Sequence, residues 1–270
     1  MASNPVLPPA QATMFSRKRE KGHAQAGLAL LSVAITLAIW SAASYFKILN
    51  PTLVPSPMDV VRATIAAIQD GSLLHNTAVS IWRVLVGFFV ALVIAIPIGM
   101  VIGMSRVVQG MVEPLIELLR PIPPIALIPL AILWFGIGEA SKISIIAYGA
   151  FFPIFVSTLA GFRDVDTVHI RAARTLGASR YELFRDVVLP SAYPQIVTGA
   201  RLGMSMAFIV LVAAELIASS AGLGYMINYG RITFQTDDIF VGICTIGVLG
   251  FLLNKGLLEV ERRIVKWKYL

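Results

Sequence analysis

Arg163-Asp164-Val165-Asp166-Thr167-Val168-His169-Ile170-Arg171-Ala172-Ala173-Arg174-Thr175-Leu176-Gly177, continuing Ala178-Ser179-Arg180-Tyr181-Glu182-Leu183-Phe184-Arg185-Asp186-Val187-Val188-Leu189-Pro190, is a charged island between two apolar runs, residues 143–161 and 194–220. Each flanking run has the roughly 20 residues that a helix, rising about 1.5 Å per residue, needs to cross a hydrocarbon core of about 30 Å. The island therefore lies at one face of a membrane, between two spans. Working outward from it, the same test finds further spans at about residues 26–46, 76–104, 113–137 and 239–258, six in all. Pro97 predicts a kink in the second, and Pro121, Pro123, Pro124 and Pro129 interrupt the third.

Composition agrees. Of 270 residues, 57% are hydrophobic and 14% charged, and mean hydropathy is +0.80. Average soluble chains are about 25% charged and 45–50% apolar. A soluble enzyme, a disordered chain or a nucleic-acid binder is excluded on this ground, and the net charge of +7 is read through membrane topology instead. Lys and Arg collect at the amino end (Arg17, Lys18, Arg19, Lys21), at Arg106, in the island and at the carboxyl end (Arg262, Arg263, Lys266, Lys268). With six spans all four places fall on one side, which the positive-inside rule makes cytoplasmic, with both termini. Lys47, Arg62, Lys142 and Arg231 are left outside. The first run is too long for the roughly 7–15 residues of a signal-peptide core and is read as an uncleaved anchor. The predicted organisation is a loose cytoplasmic tail over residues 1–25, a membrane domain over 26–260, and a basic tail over 261–270. Val60, Val61, Ile65 and Ile68 predict a short amphipathic helix on the outer interface.

No chemistry of its own is legible in the chain. It has no Gly-Lys-Ser/Thr phosphate loop, no His-Glu-x-x-His and no cysteine pair; His23, His75 and His169 are scattered. Cys244 reads as a small buried hydrophobe. No cofactor or metal is expected on this chain.

The island has internal order. Asp166 or Thr167 can cap a first helix, with Val168, Ala172 and Leu176 on one face. Gly177 suits the left-handed residue that ends it. Ser179 and Glu182 form a capping box for a second helix, striped by Tyr181, Phe184, Val187 and Val188 and stopped by Pro190. Such an elbow is either an interfacial helix pair or a docking knob for a soluble partner.

On these residues the chain resembles the permease subunits of bacterial ABC importers. Their loop pattern, Glu-Ala-Ala-x3-Gly-x9-Ile-x-Leu-Pro, matches Ala172-Ala173, Gly177, Val187 and Leu189-Pro190 in spacing. Arg171 stands in place of the Glu, and Val187 in place of the Ile. Leu118-Leu119-Arg120-Pro121-Ile122-Pro123-Pro124, Trp134-Phe135-Gly136-Ile137-Gly138-Glu139 and Val212-Ala213-Ala214-Glu215-Leu216-Ile217-Ala218 narrow the resemblance to the nitrate, sulfonate, taurine and bicarbonate group, nearest the taurine permeases, over about residues 50–260. The resemblance implies an all-α, type I importer-like bundle of six helices in the bacterial inner membrane. It implies a non-catalytic subunit that pairs with a second copy, with two cytoplasmic ATPase subunits carrying ATP and Mg, and with an outer substrate-binding protein. It places the ATPase contact on Arg171, Ala172, Ala173, Thr175, Leu176, Gly177, Ala178, Ser179, Tyr181, Leu189 and Pro190, and it implies a small anion as cargo.

Polar groups inside apolar spans cost about 2.5–3.5 kcal/mol each on insertion scales and call for a reason. Glu117 and Arg120, three residues apart, can pair on one helix face, as a packing bridge or as part of a pore. Pro121, Pro123 and Pro124 break the helical ladder, and broken backbone at membrane depth is tolerated where it lines a cavity or is buried in protein. The third span, with the fifth opposite, is therefore read as lining the pathway, and Glu117, Arg120, Pro121, Pro123, Pro124 and Glu215 are its candidates. Glu215 has no local partner, and two readings stand: a place in the pathway, awkward for an anion, or a pairing with a cation elsewhere in the bundle. Arg83 and Arg201 are expected to snorkel toward the membrane edges. Gly99-x3-Gly103 and Gly199-x3-Gly203 permit close helix contacts. A gradient-driven transporter and a scaffold that moves nothing are the competing functions.

Overall fold

A computed structural model describes residues 28, 31–46, 50 and 52–264, and every described regular element is a helix. The tail over residues 1–25 and most of the basic carboxyl tail lie outside the described residues. The chain falls into two compact units, residues 1–62 and 63–270. In the first, α1 (Leu31–Tyr45) is apolar along its length. The Trp40 indole N–H donates to the Pro55 carbonyl at 3.1 Å. Ser56 and Asp59 exchange hydrogen bonds at the start of α2 (Pro57–Gln69), the helix that the spacing of Val60, Val61, Ile65 and Ile68 predicts.

The second unit holds the bundle. Its long helices are α3 (Ser72–Met104), α6 (Glu139–Arg163), α9 (Leu189–Ala218) and α11 (Thr236–Ile264). All four have apolar stretches long enough to cross a membrane. The predicted third span is two helices. α4 (Arg106–Leu119) and α5 (Ile128–Phe135) are joined through a 3-10 turn (Pro124–Leu127), with an 83° bend at the break. The cause is local: Pro121, Pro123 and Pro124 lack the N–H groups that the carbonyls of Glu117, Leu119 and Arg120 would accept from in a helix. The Leu119 carbonyl is satisfied instead by the Ile122 N–H and the Tyr148 hydroxyl, both at 3.1 Å. With the bent pair counted as one, five candidate spans are present, and α1 is a shorter sixth apolar helix, so the architecture is compatible with six.

α6 is the axis of the core, with α3 and α9 packed along it. Glycines set the distance. A methyl group on Gly99 would meet the Thr158 side chain at 2.9 Å, one on Gly103 the Phe162 side chain at 2.8 Å. One on Gly199 would meet Ser157 at 2.5 Å and one on Gly203 would meet Ile154 at 2.6 Å. Both small-residue repeats seen in the sequence thus face α6, where helix association in lipid rests on close packing. Around them Val84, Ala95, Ile146, Ala150, Ile154, Phe155, Val210 and Leu211 are buried.

Two expectations fail here. Pro190 does not stop the second elbow helix. A six-residue π-helical stretch (Leu183–Val188) leads straight into α9, and the wider turn accommodates a proline that has no N–H to donate. Cys244 is exposed rather than buried, because α11 turns only a narrow face to the bundle.

Candidate functional site

Three places carry the polar chemistry of the second unit: the elbow, the broken span and the end of the bundle where α6 begins and α9 finishes.

The elbow is built by its caps. Asp166 accepts from the Val168 N–H at 2.8 Å and starts α7 (Thr167–Thr175). Gly177, at φ +84°, takes the left-handed conformation that ends it. Ser179 and Glu182 form the reciprocal capping box that opens α8 (Arg180–Glu182). Phe184 stacks on Phe162 of α6, with ring centroids 6.4 Å apart, and so anchors the elbow to the span before it. Of the predicted partner-contact residues, Arg171, Ala172, Thr175, Leu176, Gly177, Ser179 and Tyr181 are exposed. Ala173, Ala178, Leu189 and Pro190 are half-buried. Val168, Leu176 and Tyr181 are 64%, 88% and 69% exposed, an apolar surface on an otherwise charged island. Between α7 and the π-helical stretch lies an open groove of about 340 Å³ lined by His169, Ala172, Asp186, Val187, Pro190 and Ser191.

At the broken span, Glu117 and Arg120 are both exposed and form no ion pair with each other. Arg120 still has helical backbone, with its N–H on the Ile116 carbonyl at 2.9 Å, and the chain bends only after it. Arg120, Ile122 and Pro124 instead line a cavity of about 470 Å³ with Gly149, Phe152, Pro153, Val156 and Ser157 of α6 and Leu202, Ser205 and Met206 of α9. The third and fifth spans thus meet across one cavity. Glu117, Pro121, Pro123 and Glu215 do not line it.

Glu215 has found its cation, and that cation is Arg83. Both are buried, at 1% and 2% exposure, so Arg83 does not snorkel. Its guanidinium is bidentate to Glu139, at 2.7 and 2.6 Å, and donates to Glu215 at 2.7 Å. It also donates to the Ser219 hydroxyl at 3.0 Å and the Ala221 carbonyl at 2.6 Å. Lys142 lies 3.4 Å from Glu139, so two cations balance two carboxylates. The same cluster holds the amino end of α10 (Leu223–Thr233), an element the hydropathy pattern does not reveal. Its first N–H groups, on Gly222, Leu223 and Gly224, donate to Asn76, Ser80 and Glu215 at 2.8, 2.8 and 2.9 Å. A carboxylate and two polar side chains at a helix N-terminus satisfy groups that have no partner within the helix. Gly222 is obligatory: its φ is +114°, and a Cβ there would overlap the Glu215 carboxylate. Arg201 likewise turns inward, to Glu261 at 3.1 Å. The pairings of Arg83 join residues 56 and 132 positions apart, so no local pattern could have announced them.

The chain has known relatives. Residues 95–264 match the family of binding-protein-dependent transport system inner membrane components. The taurine transport system permease protein TauC of Escherichia coli K12 is 40% identical over 248 residues, 90% of each chain. The putative aliphatic sulfonates transport permease protein SsuC of Bacillus subtilis 168 is 37% identical over 239 residues, 88% of this chain and 87% of that one. The nitrate import permease protein NrtB of a Synechocystis strain is 29% identical over 244 residues, 87% of this chain and 88% of that one. In fold, the chain is similar to one from the crystal structure of an amino acid ABC transporter with histidines, with a TM-score of 0.59, 19% identity, and 76% of this chain and 97% of that chain covered. The chain therefore belongs to the inner-membrane components of binding-protein-dependent ABC transport systems, as a multi-pass permease of the cytoplasmic membrane.

Proposed function

We propose that this permease imports a small anion, taurine or another sulfonate, by alternating access driven by a partner ATPase. Identity of 40% to a taurine permease over 90% of both chains carries the reading. The sulfonate permease SsuC at 37% supports it, and NrtB at 29% makes nitrate the second candidate cargo. In this reading two copies form the pore, with six spans each and both termini in the cytoplasm. Two ATPase subunits bind ATP and Mg below, and an outer binding protein delivers the anion. The elbow is the mechanical input. Its caps hold a rigid projection, its apolar residues Val168, Leu176 and Tyr181 are free to be covered, and its second helix runs without a break into α9. A motion imposed on the elbow is then passed to the helix that walls the mid-membrane cavity.

The test is co-expression of the chain with candidate ATPase and binding-protein genes, followed by reconstitution into vesicles. A stable complex should hydrolyse ATP faster when loaded binding protein is added and should take up radiolabelled taurine. If the chain alone moved solute on a proton or sodium gradient, the reading would fail.

A further inference from the structure

We infer that the cavity behind the broken span is an anion-binding station in the membrane, in which Arg120 takes the negatively charged head of the cargo and Ser157 adds a hydroxyl. The inference rests on the reading of the chain as an anion importer and assigns the recognition step within it.

Depth comes first. At about 1.5 Å per residue, Gly149 to Ser157 lie about 15–27 Å along α6, whose full length is about 37 Å. Leu202 to Met206 fall about 20–25 Å along the roughly 45 Å of α9. The cavity thus falls in the middle third of α9 and in the middle third of α6 or just past it. A guanidinium at that depth is costly unless it is paired or faces a watery path. Arg120 is exposed and enters none of the ion pairs among the described residues. Every other arginine in the membrane stretches of α3 and α9 does have a carboxylate: Arg83 has two and Arg201 has Glu261.

Electrostatics comes second. Between Ile143 and Phe162, α6 has no charged residue, and between Leu189 and Ala214, α9 has only Arg201. The facing walls of α6 and α9 therefore bring no acid to compete for Arg120. The Ser205 hydroxyl already donates within its own helix, to the Arg201 carbonyl at 3.2 Å. The Ser157 hydroxyl forms no hydrogen bond among the described residues and is only partly buried, so it is available to a ligand. The other walls, Ile122, Phe152, Val156, Leu202 and Met206, are apolar. One planar cation, one free hydroxyl and an apolar surround suit an oxyanion head on a short carbon stem, since guanidinium meets such heads with two parallel hydrogen bonds. The volume of about 470 Å³ lies within the roughly 300–1,000 Å³ of ordinary ligand cavities.

The test uses the reconstituted complex, with radiolabelled taurine, ethanesulfonate and nitrate as probes and saturating binding protein. Arg120→Gln should lower uptake per ATP hydrolysed at least tenfold. Complex assembly and the stimulation of ATPase by loaded binding protein should stay within twofold of wild type. Arg120→Lys, which keeps the charge but not the two-pronged fork, should restore part of the uptake that Arg120→Gln loses, which a packing role for the guanidinium would not predict. Ser157→Ala, which fits against Gly199 without added volume, should raise the apparent KM about threefold and serves as the test if Arg120→Gln does not assemble. Uptake by Arg120→Gln, or an apparent KM for Ser157→Ala, that matches wild type would overturn the site while leaving the importer intact. A wild-type complex that moves none of the three anions would instead overturn the reading beneath it, and the site with it.

Discussion

At the scale of single residues, Arg83 shows what a buried cation demands. It lies 2% exposed within α3 and uses all of its nitrogens: two on Glu139 and one shared among Glu215, Ser219 and Ala221. Removing one member of a buried pair strands the other without water, at a cost of about 3–5 kcal/mol. Arg83→Met should therefore lower the thermal midpoint of the detergent-purified permease sharply, because Glu215 is left enclosed without its cation. The double variant Arg83→Met with Glu215→Gln should recover part of that loss, and a melting curve of each variant measures the difference. Two independent, additive losses would show that the pair is not coupled. Gly222→Ala tests the same cluster through the backbone. A residue with a Cβ at φ +114° is strained by about 1–3 kcal/mol, and here it also meets the carboxylate. The melting midpoint should fall while the variant still inserts into the membrane.

At the scale of elements, the elbow and the α6–α9 contact do different work. The elbow is held by local hydrogen bonds and packs on the bundle through Phe184, stacked on Phe162, with Val188 beside it. Gly177→Asp adds a charge and a side chain at a left-handed position that faces open space. The bundle should stand, the permease should reach the membrane in wild-type amount, and the ATPase should no longer co-purify. Wild-type uptake by this variant would remove the elbow from the coupling path. The α6–α9 contact should respond in the opposite way. Gly203→Leu drives a side chain into Ile154 and the Ala150 carbonyl, 2.6 and 3.1 Å from where its Cβ would sit. Overpacking of this kind costs about 1–3 kcal/mol, and loss of folded monodisperse protein on gel filtration would register it.

At the scale of the whole molecule, the charge distribution makes a sidedness prediction. With Cys244 replaced by serine, a single cysteine at Ser179 should react with a membrane-impermeant maleimide only from the cytoplasmic face, and one at Ser72 only from the outer face. Both positions are exposed, so accessibility within the protein does not limit either reaction. Labelling of both from the same side would break the six-span topology that places Arg163 to Arg185 inside.

The sequence by itself determined the solvent, the spans and the caps. Twenty-residue apolar runs, the clustering of arginines and the signals Asp166, Gly177 and Ser179 with Glu182 act over a turn or two of helix, and such short-range physics is written in neighbouring residues. The prolines of the third span announced its break in the same way, although the 83° bend and the lack of a Glu117–Arg120 ion pair were not legible. Only the tertiary structure decided the partners of Arg83, Glu215 and Arg201, the capping of α10 by three distant side chains, and the meeting of Arg120 with Ser157 across one cavity. Those outcomes depend on which faces of α3, α6 and α9 pack together. Side chains more than fifty positions apart in sequence are brought to about 3 Å only once the helices pack, and no periodicity along one helix records what another will present to it.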